Sequence, residues 1–458
     1  MRDAEAMQLL ERGFALHQQG QIEAAAALYR QVLKARPKDF NALHLYGTAL
    51  GQLRRPAEAL GFLERAIKVH DGSNDAYNNL GIVLHDLGRY KEAVQQFKAS
   101  LRIAPNHAQS YTNLGKAYKY LGRYEDAIAQ YRQALLCGGD FSSPHNNLAI
   151  LQLSLGRFDE GWREYYHYRS AKVDLNPAIR QWVAVAPDMN RLAGKTVALL
   201  KEQGIGDELF FLRFAPELKA RGASLTLVAS PKMAPLFKRQ PFLDEVLQEG
   251  EQGREPDLVL MLGDLPHLLG MKTADQAPPP TALGVLPPAL DEARALLDSL
   301  GPPPWVALTW RAGTAYEQQN KTLRANQEQD EALNKEAPRA QLARVAGDVP
   351  GTLVSLQRQP LPGETEDMAA LLGRPVHDLS RLNDQMELLL GVLQLLDRYY
   401  CVSNTSVHLR ASLGLPSHVL VPHPPEWRWT SLPGRSPWFP GCPVLRQRPD
   451  GSWPDTFE

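Results

Sequence analysis

Two rhythms of small and apolar residues divide this chain. Gly13, Gly47, Gly81, Gly115 and Ala149 fall 34 residues apart, and so do Ala25, Ala59, Ala93, Ala127 and Gly161. A third row, Tyr29, Leu63, Phe97, Tyr131 and Tyr165, keeps the same step. Gly20, Gly88, Gly122 and Gly156 mark a turn inside each period, with Arg54 in that place in the second, and Pro37 and Pro105 close two periods. Small residues let paired helices approach closely, and the aromatic row is expected to fill the space between neighbouring units. From Ser170 to Gly194 the period stops. Asn176-Pro177, Trp182 and Pro187 predict an irregular connector packed against both halves, too aromatic for a disordered spacer.

From Lys195 short apolar runs alternate with helical patterns, which predicts parallel sheets covered by helices. The first unit is the clearest. Thr196 to Leu200 reads as a buried strand, Glu202 to Asp207 as a glycine turn, and Leu209, Phe210, Phe214 and Leu218 as one face of a helix. Strands follow at Leu225–Val228, Leu243–Leu247 and Asp257–Leu262, with a helix near Pro231–Lys238. The proline-rich stretch from Gln276 to Pro288 reads as a crossing to a second lobe. There the expected strands are Trp305–Trp310, Thr352–Leu356, Arg398–Val402 and Ser417–Val421. The expected helices are Leu290–Leu300, Arg339–Val345, Asp384–Leu395 and Thr405–Leu413. The implied domains are residues 1–170, a connector at 171–194, a first lobe at 195–285 and a second at 286–458.

Composition narrows the function classes. With 458 residues the chain has room for several cores, and its net charge of −1 argues against a general nucleic-acid binder. Cys137, Cys401 and Cys442 are far apart and odd in number, so free thiols in a reducing compartment are expected. The absence of an 18-residue apolar run and the charged, helical N-terminus predict a cytoplasmic protein without a transmembrane segment.

The 34-residue period resembles the tetratricopeptide repeat, an α-solenoid whose concave groove binds peptides or proteins. Asn79, Asn113 and Asn147 form a further 34-spaced row. It resembles the asparagine ladder of protein O-linked N-acetylglucosamine transferases, which implies amides that pair with an extended acceptor peptide. The other reading is that each amide bonds to the neighbouring repeat.

In the second half, GKTVALLKEQGIGDELFFLRFAPELKARGA, VALTWRAG, VSLQ, CVSNTSVHLRASLGLPSHVLVP, and PEWRW with SPWFPG occur in that order. Together they resemble a bacterial group in which tetratricopeptide repeats are fused to a domain like the lipopolysaccharide heptosyltransferases, glycosyltransferase family 9. The resemblance implies an α-solenoid followed by an α/β GT-B fold with two Rossmann-like lobes. It also implies transfer of a sugar from a nucleotide-sugar donor to an acceptor, here a protein recruited by the repeats.

By that resemblance Asp207 stands where the family carries the carboxylate that deprotonates the acceptor. As the residue at a helix start it also reads as a cap. Glu202 and Glu208 are neighbouring alternatives. Gly204 and Gly206 shape the turn. The donor's diphosphate requires cations and N–H donors; Arg311 and Lys335 are the candidates, with Lys321 and Arg324 competing, and Gln357 lies near the expected nucleoside. Ser403, Asn404, Thr405, Ser406 and His408 follow a strand and open a helix, a place suited to a phosphate or sugar. Relatives usually carry Asp where this chain has Asn404, which raises the prospect of altered donor choice or lost activity. Trp427, Trp429, Trp438 and Phe439 with Arg428 either stack on a ligand or pack the C-terminal tail. No Asp-x-Asp pair follows a suitable strand, so no metal and no cofactor are expected beyond the nucleotide-sugar co-substrate. The competing reading is a repeat scaffold with a degenerate, non-catalytic α/β half.

Overall fold

The computed structural model describes residues 2–138, 142–172, 188–201, 204–312 and 335–457. Expectations placed on Asn176-Pro177, Trp182, Pro187, Glu202, Lys321 and Arg324 lie outside them. By internal contacts the described residues form two compact units, one ending at Leu151 and the other beginning at Gln152.

The N-terminal region is a solenoid of paired helices: α1 (Asp3–Gln18), α2 (Ile22–Ala35), α3 (Phe40–Gln52), α4 (Pro56–Val69), α5 (Asn74–Asp86), α6 (Tyr90–Ile103), α7 (Ala108–Tyr120), α8 (Tyr124–Leu136), α9 (Ser142–Ser154) and α10 (Phe158–Lys172). From α3 onward both members of each pair start 34 residues after their predecessors. Gly20, Gly88, Gly122 and Gly156 take positive φ values between 70° and 75° at the turn between paired helices, and Arg54 takes φ 59° in the second repeat. A side chain there is strained, which is why glycine fills the other four turns.

The aromatic row packs first against its own repeat. A methyl built on Gly13, Gly81 or Gly115 would lie 2.5–2.6 Å from a ring carbon of Tyr29, Phe97 or Tyr131, and one on Gly47 would lie 2.7 Å from Leu63. Each large side chain therefore lies over the glycine of its own repeat. The bare glycine surface admits a ring at a separation that any side chain there would block.

In the second unit, β1 (Thr196–Leu200), β2 (Ser224–Ala229), β3 (Glu245–Gln248) and β4 (Leu258–Met261) form a parallel sheet in the order β3-β2-β1-β4. A second parallel sheet, ordered β10-β9-β8-β5-β6-β7, holds β5 (Trp305–Thr309), β6 (Thr352–Ser355), β7 (Val376–Asp378), β8 (Arg398–Val402), β9 (His418–Val421) and β10 (Val444–Arg446). Central strands are apolar on both faces, as helix-covered strands must be. Leu199 pairs with Leu227 and Leu260, and Leu308 with Ser355 and Tyr400. The core under the second sheet gathers Val306, Leu308, Trp310, Leu342, Leu353 and Val402. The sequence reading missed both edge strands, β7 and β10, whose three residues are too few to show alternation, and the helix Glu364–Leu372.

Two features position the site. In each sheet the chain reverses its direction of travel beside the first strand, between β1 and β4 and between β5 and β8. Such switch points open a crevice at the carboxyl ends of the strands. Second, α10 is a repeat helix by sequence and part of the α/β unit by contact. Phe158 and Trp162 are buried, and Trp162 meets Trp427 and Trp438 with ring centroids 5.3 and 5.8 Å apart. The solenoid period runs on to residue 170, whereas the compact units divide after Leu151.

Candidate functional site

Beyond β1 a helix runs Ile205–Leu212, with Gly204 at its N-cap. Asp207 is thus the third residue of the first turn rather than the cap, and no side-chain cap is present. A carboxylate there still faces the positive end of the helix. The single long helix expected from the apolar pattern is broken at Arg213–Phe214, and a second helix, Ala215–Ala220, begins with Pro216 in its first turn. Glu208 is buried and accepts hydrogen bonds from Ser230 N (2.8 Å) and Ser230 Oγ (2.7 Å). Burial pushes its carboxyl up, against the pull of those two bonds and of Lys201. It anchors the turn after β2 and is closed off from solvent.

At the opposing switch point, Ser403 and Asn404 end β8 and open the helix Thr405–Ser412. Asn404 is the N-cap. Its Oδ1 accepts from Val407 N (3.2 Å), while its Nδ2 donates to Val402 O (2.9 Å) and to the Tyr399 hydroxyl (3.0 Å). An ionised aspartate could cap but not donate, so the asparagine is matched to its surroundings. The two switch points meet. A methyl at Gly206 would sit 3.5 Å from His408 Cδ2 and 3.9 Å from Thr405 Oγ1. His408 is buried with Nδ1 unpartnered, and burial, then Arg428, hold its imidazole well below the usual histidine range, so it stays neutral.

The ionic centre of the site comes from the segment after β9. Arg428 is buried, bonding Asp207 through Nη2 and Glu426 through Nη1. The other oxygen of Glu426 accepts from Ser403 Oγ at 2.5 Å and stands 3.4 Å from Lys335 Nζ. Burial alone would raise the Glu426 carboxyl; Lys335, Arg428 and the Ser403 bond outweigh it and hold the group well below the usual carboxylate range. Lys335 is fixed at the end of β5, because Ala312 N donates to Lys335 O (2.9 Å) and Glu336 pairs with Arg311. Lys335, Ser403, Pro424, Glu426 and Trp429 line a small pocket there. A sequence signal for this centre exists in Glu426-x-Arg428, but its charges only acquire meaning once Asp207 and Lys335 are beside them.

Other expected site residues act behind this surface. Arg311 is buried and donates to Glu364 Oε2 (2.7 Å), an acid the sequence reading did not single out. Gln357 is fully buried and all its hydrogen-bonding capacity is used: Oε1 accepts from Trp310 N and Arg311 N, and Nε2 donates to Arg311 O and Arg358 O. It ties the ends of β5 and β6 together and has nothing left for a nucleoside. Trp427, Trp429, Trp438 and Phe439 are all buried, which favours packing, although Trp429 also lines the small pocket. Phe210 lies between two guanidiniums, Arg213 at 4.4 Å and Arg428 at 4.8 Å from its ring centroid. Burial and Arg428 lower the Arg213 guanidinium to about 9. Among the described residues no group of three or more His, Cys, Asp or Glu is placed to hold a metal ion, and no helix is long and apolar enough to cross a membrane.

In the repeats, the asparagine row bonds mainly along the solenoid. Asn79 Nδ2 reaches Thr48 Oγ1 (3.0 Å) and His44 Nε2 (2.9 Å), and Asn113 Nδ2 donates to Asn78 Oδ1 (3.1 Å), each in the preceding repeat. Asn147 Nδ2 donates to Ser143 O (3.0 Å) in its own helix. Asn113 and Asn147 are buried. Asn79 and Asn113 thus tie neighbouring repeats together, whereas Asn147 bonds within its own helix.

Comparison with known proteins agrees on the N-terminal region. Family models described as tetratricopeptide repeat match residues 73–135 and 112–168. The N-terminal region carries tetratricopeptide repeats. A model described as anaphase-promoting complex, cyclosome, subunit 3 matches residues 18–100. Among solved structures, the chain is similar to TTC0263, a thermophilic tetratricopeptide repeat protein of Thermus thermophilus. Identity there is 25% over 38% of this chain and 96% of that one, with TM-score 0.34. PilF of Pseudomonas aeruginosa matches at 18% identity over 38% of this chain and 79% of its own, with TM-score 0.35. YrrB, described as a repeat protein with an unusual peptide-binding site, matches at 25% identity over 30% and 72%, with TM-score 0.28. No curated protein matches the chain.

Proposed function

We propose that the α/β unit is a metal-independent glycosyltransferase of the GT-B kind, taking a nucleotide-sugar donor and an acceptor hydroxyl. One observation carries the reading: Asp207 and Arg428, 221 residues apart, are bonded, which brings the crevices of two parallel sheets to one place. In the proposed transfer the acceptor oxygen forms a bond to the anomeric carbon as the bond from that carbon to the donor phosphate breaks. Asp207 receives the hydroxyl proton, and Lys335 faces the charge left on the diphosphate. Ser403, Thr405 and the helix they open line the donor side, with Gly204 and Gly206 opposite. Tetratricopeptide repeats bind peptides or proteins, so the N-terminal region is a protein-interaction scaffold. The acceptor we propose is a protein held by those repeats; a lipid-linked or polysaccharide acceptor fits the same chemistry.

Calorimetry of the full chain with UDP-, GDP-, ADP- and CMP-sugars and the free nucleotides tests the reading. Binding of one nucleotide class is expected, and a folded sample that binds none of them overturns it. Asp207→Ala should then bind the donor at least as tightly while lowering transfer by about 10²–10⁴-fold, the scale of a lost general base. The second reading is a scaffold whose α/β unit does not catalyse. It is favoured by the tied amides of Asn404 and Gln357 and by the ion pair that occupies Asp207.

A further inference from the structure

We infer that Arg428 and Glu426 relay the arrival of the donor's diphosphate from Lys335 to Asp207, so that the carboxylate is freed only when the donor is bound. The inference rests on the function proposed above and adds an order of events to it. Four charges form one line: Asp207, Arg428, Glu426, Lys335. The side chains at its ends are partly open, 42% exposed for Asp207 and 29% for Lys335, whereas those of Arg428 and Glu426 are 5% and 4% exposed. The buried pair is the bonded route from one open end to the other.

The line is balanced, two charges of each sign, and in that balance one carboxylate oxygen of Asp207 is held by the Arg428 guanidinium rather than open to an acceptor hydroxyl. The contact between Lys335 and Glu426, at 3.4 Å, is the link most readily given up. An ammonium on a flexible stem follows the strongest nearby anion, and a diphosphate beside Ser403 is such an anion. Once Lys335 turns to it, Glu426 is left buried with Arg428 and Ser403 alone. A buried carboxylate that loses compensating charge recruits more of what remains. Arg428 can supply it, since its buried Nε has no acceptor. Turning the guanidinium toward Glu426 loosens its bond to Asp207, which rehydrates at the cleft and can accept a proton. Arg428 and Glu426 are positioning residues in this scheme and touch neither substrate.

Thermodynamic coupling is reciprocal, so if the diphosphate loosens Asp207, removing the Asp207 charge must tighten the diphosphate. The experiment titrates the full chain with UDP, GDP, ADP and inorganic pyrophosphate and follows the best binder through a set of variants. Asp207→Asn is expected to tighten it about 5- to 10-fold, within the usual range of such coupling. In a Glu426→Gln or Lys335→Met background the same substitution should change affinity less than about 2-fold, because the line is cut. Arg428→Lys, a cation without the fork, should likewise abolish the coupling while still binding the probe. Equal tightening with and without Glu426 would be a through-space effect and overturns the relay, as does no tightening at all. If melting shows Glu426→Gln unfolded, Lys335→Met serves alone, its side chain being the open end of the line. Absence of binding by any probe sinks the proposed function and the relay with it; binding without coupling sinks the relay only.

Discussion

The repeat region and the α/β unit obtain their specific contacts in opposite ways. In the solenoid each decisive contact is short in sequence and recurs: a glycine meets a large side chain 16 residues later, and the arrangement repeats at Gly13, Gly47, Gly81 and Gly115. In the α/β unit the decisive contacts occur once and span hundreds of residues. Asp207 meets Arg428, Arg213 donates to Trp438 O across 225 residues, and Trp162 enters an aromatic cluster with Phe210, Trp427 and Trp438. Repetition makes the first kind tolerant of a degenerate copy, as Arg54 illustrates. A contact made once has no such reserve.

The sharpest way to break this contrast is at the helix that belongs to both regions. Trp162→Ala should destabilise the α/β unit by about 3–5 kcal/mol, the scale for deleting a large buried aromatic, measured by denaturant unfolding. A chain lacking residues 1–141 should keep a folded α/β unit, while one lacking 1–172 should not. Equal folding of the two would show that α10 serves only the solenoid. A smaller effect is expected at Gly81→Val, where even a methyl would sit 2.5 Å from the Phe97 ring. That substitution should cost the repeats about 1–3 kcal/mol, and hydrogen exchange should show the loss confined to α5 and α6.

Smaller again is Asn404→Asp. It keeps the cap but turns a carboxylate oxygen toward Val402 O, which cannot donate, so a loss of about 1–2 kcal/mol is expected in thermal or denaturant unfolding. A gain in stability would mean that the asparagine answers to a ligand rather than to its cap surroundings. At the bottom of the scale lies another 34-spaced series, Arg55–Glu58, Arg89–Glu92 and Arg123–Asp126. These pairs are solvated and screened, and Glu92→Ala should leave the melting temperature unchanged within error. A measurable drop there would show that repetition gives strength even to exposed contacts.

How much of the fold could be read from residues alone follows the same divide. The start of every helix from α3 to α10 agrees with one step, because each repeat buries the same face against the same neighbour. β1 was legible to the residue and the other central strands within a few positions, since buried parallel strands are continuous apolar runs. The edge strands β7 and β10 and the break at Arg213–Phe214 were not, being too short or too dependent on what packs over them. At the candidate site, the glycine turn and the Ser403 to His408 segment were visible as strand-to-helix turns. What each side chain does there was not.

Order along the chain by itself determined the repeat period, the two kinds of architecture and the segments that end strands. It did so because helix pairing and strand burial are set by local spacing of apolar residues. Only the tertiary structure decided that Gln357 and Asn404 are fully engaged, that α10 lies with the α/β unit, and that Asp207, Arg428, Glu426 and Lys335 stand in one line. Charge energies depend on distance and burial, and neither is a property of sequence separation.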